Sequence, residues 1–446
     1  MNIQDLTKGN ISGHLVRLAV PLIVGNILQQ FYNTLDAFVV GKFAGKEEFA
    51  AIGIAGTVMN LFLFAVVGCC TGFSVLFARC YGSGDKKGLR EQHFSALVTG
   101  MTGTLVLAVA GVILLPQLLG FIQTPDNLFG YTEIYLRWIF LSMPAAFLYN
   151  LYASILRAAG DTKAALVILG VSVGLNFLLD LWFVAVFREG ISGAAKATAL
   201  TQLLAAAFCF VYISKTHREL LFRRTDCHLD RKKIQTTAYF GMVTALHQSG
   251  LYLGKMLVQG AVNTAGTDTI AAYTAATRIE GFANSFGDSG AAATSIVTAQ
   301  NYGAGKRERV RGTFFDSLKL LAGLGIACAV ILYVTADGTI GIMLGDGSGA
   351  AFTEAVGYLK LVAVFYLFCF TGNTFAGYFD GIGKVSVPFV GAIGHITLRV
   401  ILSWLFISRF GLHAVAAATG IGWILVNLFW MFIYLKNCRQ REAESV

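Results

Sequence analysis

Gln29, Tyr32, Asn33 and Asp36 lie inside an apolar segment, at separations of three, four and seven residues. On an α-helix those separations form one stripe, so a carboxylic acid and its polar neighbours face the same way. A second apolar segment carries Ser172, Asn176 and Asp180 four residues apart, and a third supplies Thr198, with Thr201 and Gln202 near its face. A carboxylate at mid-membrane costs ~2.5 to 3.5 kcal/mol on insertion scales unless it meets water, protein partners or a proton. Two carboxyls that share a dry site repel when both are ionised, so such a pair takes up a proton. The oxygens of Asp36, Asn176, Asp180 and Thr198 are equally the inventory of a Na+ site. H+ is the expected coupling ion and Na+ the alternative; no cofactor and no other metal site is expected. Two plainer readings compete: Asp36 as a helix cap or cross-link near the outer surface, and the whole group as a structural hydrogen-bond network.

The segments that must position these residues follow from composition. Of 446 residues 56% are hydrophobic and only 13% charged, against ~25% charged in soluble domains, and the mean hydropathy is +0.66. The chain is therefore read as an all-α polytopic membrane protein. With about 20 apolar residues needed per crossing, it divides into twelve segments. Six lie near residues 15–40, 51–79, 95–116, 133–156, 164–187 and 192–214, and six near 237–262, 270–300, 314–335, 354–378, 386–408 and 412–435. The net charge of +9 does not point to nucleic acid, because the cations sit in short loops rather than on one basic face. Lys86, Lys87 and Arg90, Arg157 and Lys163, Lys306 to Arg311, Lys384 and the C-terminal cations fall on alternate loops, which places both termini in the cytoplasm. Residues 215–233 form the longest polar stretch and are read as a linker between lobes at 1–214 and 234–446. The eight cysteines show no CxxC pair and are read as small apolar residues.

The second half repeats the first. At an offset of 221 residues, Gly45 falls on Gly266, Ala78 on Ala299, Tyr81-Gly82 on Tyr302-Gly303, Gly84 on Gly305 and Phe94 on Phe315. After a slip of two residues Gly160 meets Gly383 and Asn176 meets Arg399; the first offset returns at Gly190 and Gly411. Six crossings per repeat is an even number, so both repeats run in the same sense, as two pseudo-symmetric six-helix bundles around a central cleft that alternates its access. The YGSGDKKGLR and YGAGKRERVR segments lack the GxxxxGK[ST] spacing of a phosphate loop and are read as glycine turns after a membrane helix. With no ATPase motif, energy must come from a gradient.

The second half does not copy the acid chemistry. Asp36 corresponds to Leu257, while Gln248, Tyr252, Lys255 and Gln259 form a stripe, followed by Arg278, Glu280 and Asp288, then His395 and Arg399. These are read either as internal ion pairs such as Lys255 with Glu280, or as the basic side of a substrate cleft. That cleft would be lined by Gln29, Tyr32, Asn33, Tyr252, Lys255, Arg278, Glu280 and Arg399, and would favour or tolerate an anionic group. Pro21 removes a backbone donor and permits a bend in the first segment. Lys196 points away from Thr198 and is expected to reach the outer interface.

The N-terminal pattern LTKGNISGHLVRLAVPLIVGNILQQFYNTLDAFVVGKFAG, the paired YGxG turns, LRAAGDTK, and NFLLD followed by GISGAAKAT resemble the multidrug and toxic compound extrusion (MATE) family in its DinF-like branch, over essentially the whole chain. The resemblance implies two six-helix lobes and export of small amphiphilic compounds against inward H+ or Na+. It also implies roles for Asp36, Asn176, Asp180 and Thr198 in the ion site. The NorM-like branch uses acids in helices seven and ten instead; here helix seven carries Lys255, and Asp380 sits at the cytoplasmic end of helix ten. A monomer in the plasma membrane is expected. Two other classes are weighed: a flippase for a lipid-linked saccharide precursor, suggested by the basic second half, and a membrane enzyme or receptor, suggested only by His247 and His395. No nucleophile and base are placed together for the latter.

Overall fold

The computed structural model describes residues 5–228, 230–345 and 347–443; the side chains of Asn33 and of 439–443 lie outside the described residues. Long apolar runs become long helices because in lipid the backbone must satisfy its own hydrogen bonds. In chain order these are α1 (Ile11–Phe43), α2 (Lys46–Gly82), α3 (Lys86–Ile113), the short α4 (Leu115–Phe121), α5 (Asp126–Ala158), α6 (Thr162–Asp180), α7 (Gly190–Thr216), α8 (Arg231–Asn263), α9 (Thr267–Gly303), α10 (Arg307–Leu344), α11 (Ala350–Ala363), α12 (Tyr366–Gly381), α13 (Ser386–Phe410) and α14 (Leu412–Ala443). The α6 rod continues as a π-helical turn, Leu181–Val186.

Among the described residues nine helices are long and apolar enough to cross a membrane, and α11 with α12 make a tenth span bent by 51°. The remaining long helices, α8 and α9, have 33 and 37 residues. They are less apolar because they carry Lys255, Gln259, Arg278, Glu280 and Asp288. These twelve spans are the expected ones.

Turn chemistry repeats with the sequence. Gly84 and Gly305 take φ of +73° and +71°, and Gly190 and Gly411 take +57° and +55°, a backbone region that only glycine enters without strain. Where the chain re-enters a helix, the Asp85 and Asp161 side chains accept the backbone N–H of Gly88 and Ala164, filling one of the orphan donors of the first turn.

Two compact units emerge: unit 1 holds residues 1–6 and 20–249, unit 2 residues 7–19 and 250–446. The division does not fall at the 215–233 linker. Helices α1 and α8 each belong partly to both units, and α1 changes unit between Ala19 and Val20, beside Pro21. In unit 2 the first turns of α1 are held by α10: Ser12 Oγ donates to Asp316 Oδ2 at 2.8 Å, and Arg309 Nη1 to the Gly9 carbonyl at 2.9 Å. In unit 1 Gly68 and Gly72 of α2 lie against the α8 backbone, where an added Cβ would come within 2.6 Å of Thr244 O and 2.4 Å of Thr244 Oγ1. Fully buried Phe73, Phe77, Tyr135, Phe140 and Phe147 fill the unit 1 interior, and Tyr358, Tyr366, Phe370 and Phe379 that of unit 2.

The described part of the linker from residue 215 to 228 packs as a strap on unit 1. It forms two short 3-10 turns, Arg218–Leu220 and Arg224–Asp226. Buried Asp226 accepts Arg90 Nε at 2.7 Å, His93 Nδ1 meets the Leu220 carbonyl at 3.0 Å, and His217 Nε2 lies 3.4 Å from buried Asp161. The hydrogen bond from Arg90 holds the Asp226 carboxyl below the ordinary carboxylate value.

Candidate functional site

Unit 1 brings Asp36 of α1, Asn176 and Asp180 of α6, and Thr198 of α7 into one buried cluster. None of the four is more than 7% exposed. Tyr32, one turn before Asp36, donates its hydroxyl to Thr198 Oγ1 at 3.3 Å and so ties α1 to α7. Tyr135 of α5 donates to Asp36 Oδ2 at 3.2 Å. Asp36 and Asp180 lie within electrostatic reach of one another, and both within reach of Tyr32. Among the described residues, Asp36 Oδ1, both carboxylate oxygens of Asp180 and Asn176 Nδ2 are buried and have no hydrogen-bond partner. Buried polar groups are nearly always paired. The three carboxylate oxygens are acceptors and the Asn176 amide nitrogen a donor, so the cluster combines unpartnered groups of both kinds.

Backbone geometry serves the same place. Asp180 is the last residue of α6 and the π-helical turn begins at the next residue; π-turns are rare and frequent at functional sites. Thr201 Oγ1 and Gln202 Oε1, also without partners, extend the polar wall along α7. Ser172 is satisfied within its own helix, donating to the Ile168 carbonyl at 2.8 Å. Gln29 is exposed, and the Asn33 side chain lies outside the described residues.

In unit 2 the polar residues form a different network. Glu280 accepts the Tyr358 hydroxyl at 2.8 Å, and Arg399 Nη2 donates to the Tyr273 hydroxyl at 3.3 Å. The two tyrosine rings meet edge to face at 5.7 Å. Lys255 makes no ion pair with Glu280 among the described residues; it stands exposed, within electrostatic reach of Glu280 and Asp288. Arg278 is exposed and Tyr252 half-buried. Asp380 lies near the end of α12, and among the described residues its Oδ1 is buried without a hydrogen-bond partner. Lys196 closes onto Glu189 at 2.9 Å near the start of α7, with its ammonium over the Trp138 ring. Among the described residues no group of His, Cys, Asp and Glu has the geometry of a metal centre.

Sequence reasoning missed the tyrosines Tyr135, Tyr273 and Tyr358. A signal for two of them was present: with the two-residue slip, Tyr135-Leu136-Arg137 matches Tyr358-Leu359-Lys360. The π-helical turn left no such signal.

The MatE family model matches twice, over residues 21–182 and 244–405, and so covers most of the chain. A probable multidrug resistance protein of Bacillus subtilis, YpnP, is 27% identical over 100% of this chain and 99% of its own length. The probable multidrug resistance protein NorM of Thermotoga maritima is 23% identical over 92% of this chain and 89% of its own. Among solved structures, a MATE crystal structure in complex with MaD3S superposes with a TM-score of 0.90 at 21% identity, covering 99% of both chains. An outward-facing multidrug resistance MATE transporter of the MOP superfamily gives 0.87 at 22%, covering 98% of both. These structures show the shared fold, and the doubled family match accords with the internal repeat: the chain belongs to the MatE family of membrane transporters.

Proposed function

We propose that the protein is a cation-coupled antiporter that exports small amphiphilic molecules, with Asp36, Asn176, Asp180 and Thr198 as the ion site. The observation that carries this reading is the set of buried, unpartnered carboxylate oxygens on Asp36 and Asp180. Two acids in mutual reach inside an apolar bundle are stabilised when a proton or a Na+ enters and destabilised when it leaves. H+ is the favoured ion, because one proton relieves the repulsion between the two carboxyls without a further set of oxygen ligands. A ligand shifts a two-state carrier only by its differential affinity for the states, so ion and substrate must favour opposite states or compete for one. Alternation of two like-oriented repeats between inward and outward access is the corresponding mechanism. The relatives are named as probable multidrug resistance proteins, which supports small-molecule cargo for this chain; the alternate placing of cations on the loops supports cytoplasmic termini, and the reading takes the carrier as a monomer in the plasma membrane.

The test is efflux from proteoliposomes of the purified protein, with pH and Na+ gradients imposed independently across a panel of amphiphilic compounds. Efflux driven by the pH gradient and lost in Asp36→Asn is expected. Transport indifferent to both gradients, and unchanged in Asp36→Asn, would sink the reading.

A further inference from the structure

On the side of the membrane away from the termini, three cations are tied to carboxylates: Lys196 to Glu189 at 2.9 Å, Arg137 to Glu133 at 2.6 Å and Lys360 to Asp337 at 2.6 Å. Lys42 and Lys46 are not. Both are exposed, and among the described residues neither makes an ion pair. They flank the turn at Gly45, whose φ of +114° lets α1 end and α2 begin within three residues. The acids next in sequence do not neutralise them: Glu48 accepts the N–H of Ile191, and Glu47 is exposed without an ion pair among the described residues. Lys42 instead lies over two rings, its Nζ 5.8 Å from the centroid of Phe38 and 5.6 Å from that of Phe43. An aromatic face attracts a cation without cancelling its charge.

The two lysines close one end of a groove of about 350 Å³, whose other walls are Ala37, Phe38, Gly41 and Phe49. The groove exists because small residues stand beside large ones. Phe49 rests on Gly41, where an added Cβ would come within 2.9 Å of its Cδ2. Phe38 and Phe49 are 56% and 50% exposed, one helical turn deeper than the lysines along α1 and α2. On the turn of α1 that buries Asp36, Phe38 faces outward, so the groove lies on the outer side of the same turn. Exposed phenyl rings on a membrane helix suit an acyl chain, and a lysine stem lies along apolar surface while its ammonium reaches the head-group level. Basic residues at that level attract anionic head groups. We propose that the α1–α2 turn binds an anionic phospholipid, with its phosphate between Lys42 and Lys46 and an acyl chain along Ala37, Phe38 and Phe49. A choline head brings its own cation to two ammonium groups; a phosphatidylglycerol head brings none. The site shares no residue with the ion cluster, and its chemistry does not depend on which ion is coupled.

The experiment is native mass spectrometry of the full-length purified protein, delipidated in neutral detergent and titrated with phosphatidylglycerol or with phosphatidylcholine of matched chains. Phosphatidylglycerol is expected to bind at lower concentration. Lys42→Gln combined with Lys46→Gln is expected to weaken its binding about tenfold or more, to the level of phosphatidylcholine. Arg188→Gln combined with Arg409→Gln removes as many charges from the same side, and is expected to leave binding unchanged. Glycerophosphoglycerol, the same head without chains, is expected to bind far more weakly than the lipid. Equal binding of the two lipids by the parent protein would overturn the proposal, and so would equal losses in the two double variants, which would mean unspecific attraction to surface charge. Binding of the chain-free head as tightly as the lipid would remove the groove from the site and overturn it as well. Should the double lysine variant not fold, Lys42→Gln and Lys46→Gln carry the test singly. Each is then expected to weaken phosphatidylglycerol several-fold, and no weakening in either overturns the proposal. Failure of the ion-site reading is distinct, since it would appear as coupled efflux persisting in Asp36→Asn.

Discussion

Tyr135 and Asp36 are 99 residues apart in sequence, and the hydroxyl of one donates to the carboxylate of the other at 3.2 Å. The bond fixes one oxygen of Asp36 and leaves the other, Oδ1, buried and without a hydrogen-bond partner among the described residues. It sets the acid's orientation without satisfying it.

Asp36→Asn and Asp180→Asn are each expected to abolish coupled efflux while the protein still folds, because an amide fills the same space but cannot exchange a proton. Tyr135→Phe removes one hydrogen bond to a charged group, ~1.5 to 3 kcal/mol, and is expected to change apparent ion affinity by about tenfold or more while retaining transport. Efflux rate and ion movement measured together in proteoliposomes separate these outcomes. Normal coupling in both Asp variants would put the ion site elsewhere.

Lys255 is exposed on a membrane helix of unit 2 and has no ion pair among the described residues. Lys255→Ala is expected to alter which compounds are carried, with anionic amphiphiles affected most, and to leave coupling in place. A substrate panel run alongside proton flux checks this, and complete loss of coupling would contradict it.

Pro21 stands beside the point where α1 passes from one unit to the other. Restoring the missing backbone donor with Pro21→Ala is expected to leave folding intact and slow efflux several-fold, since a helix without the proline bends less readily there. Transport kinetics with unchanged melting temperature is the predicted pattern; an unchanged rate would assign Pro21 no part in the cycle.

Arg90 and Asp226 hold the strap to unit 1. The Asp226 carboxyl is held low in the folded protein by the Arg90 hydrogen bond, so the interaction stabilises the fold above the ordinary carboxylate value, near ~3.9, and is lost as pH falls through the lower folded value. Arg90→Ala is expected to lower the melting temperature at neutral pH, with the gap from the parent closing as pH falls below the ordinary carboxylate value. A gap independent of pH would mean that Arg90 acts through packing alone.

Glu354 accepts the backbone N–H of Leu412 at 2.9 Å and the hydroxyl of Thr269 at 2.8 Å. In the other repeat Glu48, the counterpart of Thr269, itself accepts the N–H of Ile191. Glu354→Ala leaves a helix-start donor unpartnered and is expected to cost ~1 to 3 kcal/mol. Thermal unfolding measures it, and Glu354→Gln is expected to recover part of the loss.

The sequence by itself determined the membrane class, the repeat, the glycine turns and the stripe that aligns Asp36 with its neighbours. Each of these is local or periodic: span length follows from runs of apolar residues, turns from glycines at fixed positions, and a helical face from spacings of three and four. The grouping of Asp36, Asn176, Asp180 and Thr198 is suggested by two acids with Asn and Thr on helical faces and is implied by the resemblance, while spacing alone leaves a capping role for Asp36 open. Tertiary structure decided what spans long separations. Tyr135 finds Asp36 and Tyr358 finds Glu280 because of how helices pack, and Lys255 and Glu280, plausible partners by charge, are not joined in an ion pair. The same holds for α1 and α8. Their sequences read as ordinary first helices of each repeat, yet residues 7–19 pack with unit 2 and residues up to 249 with unit 1. Hydropathy is blind to which neighbour buries a given apolar face, and the packed glycines at Gly68 and Gly72 and the polar ties at Ser12 and Arg309 are among the contacts that make that choice.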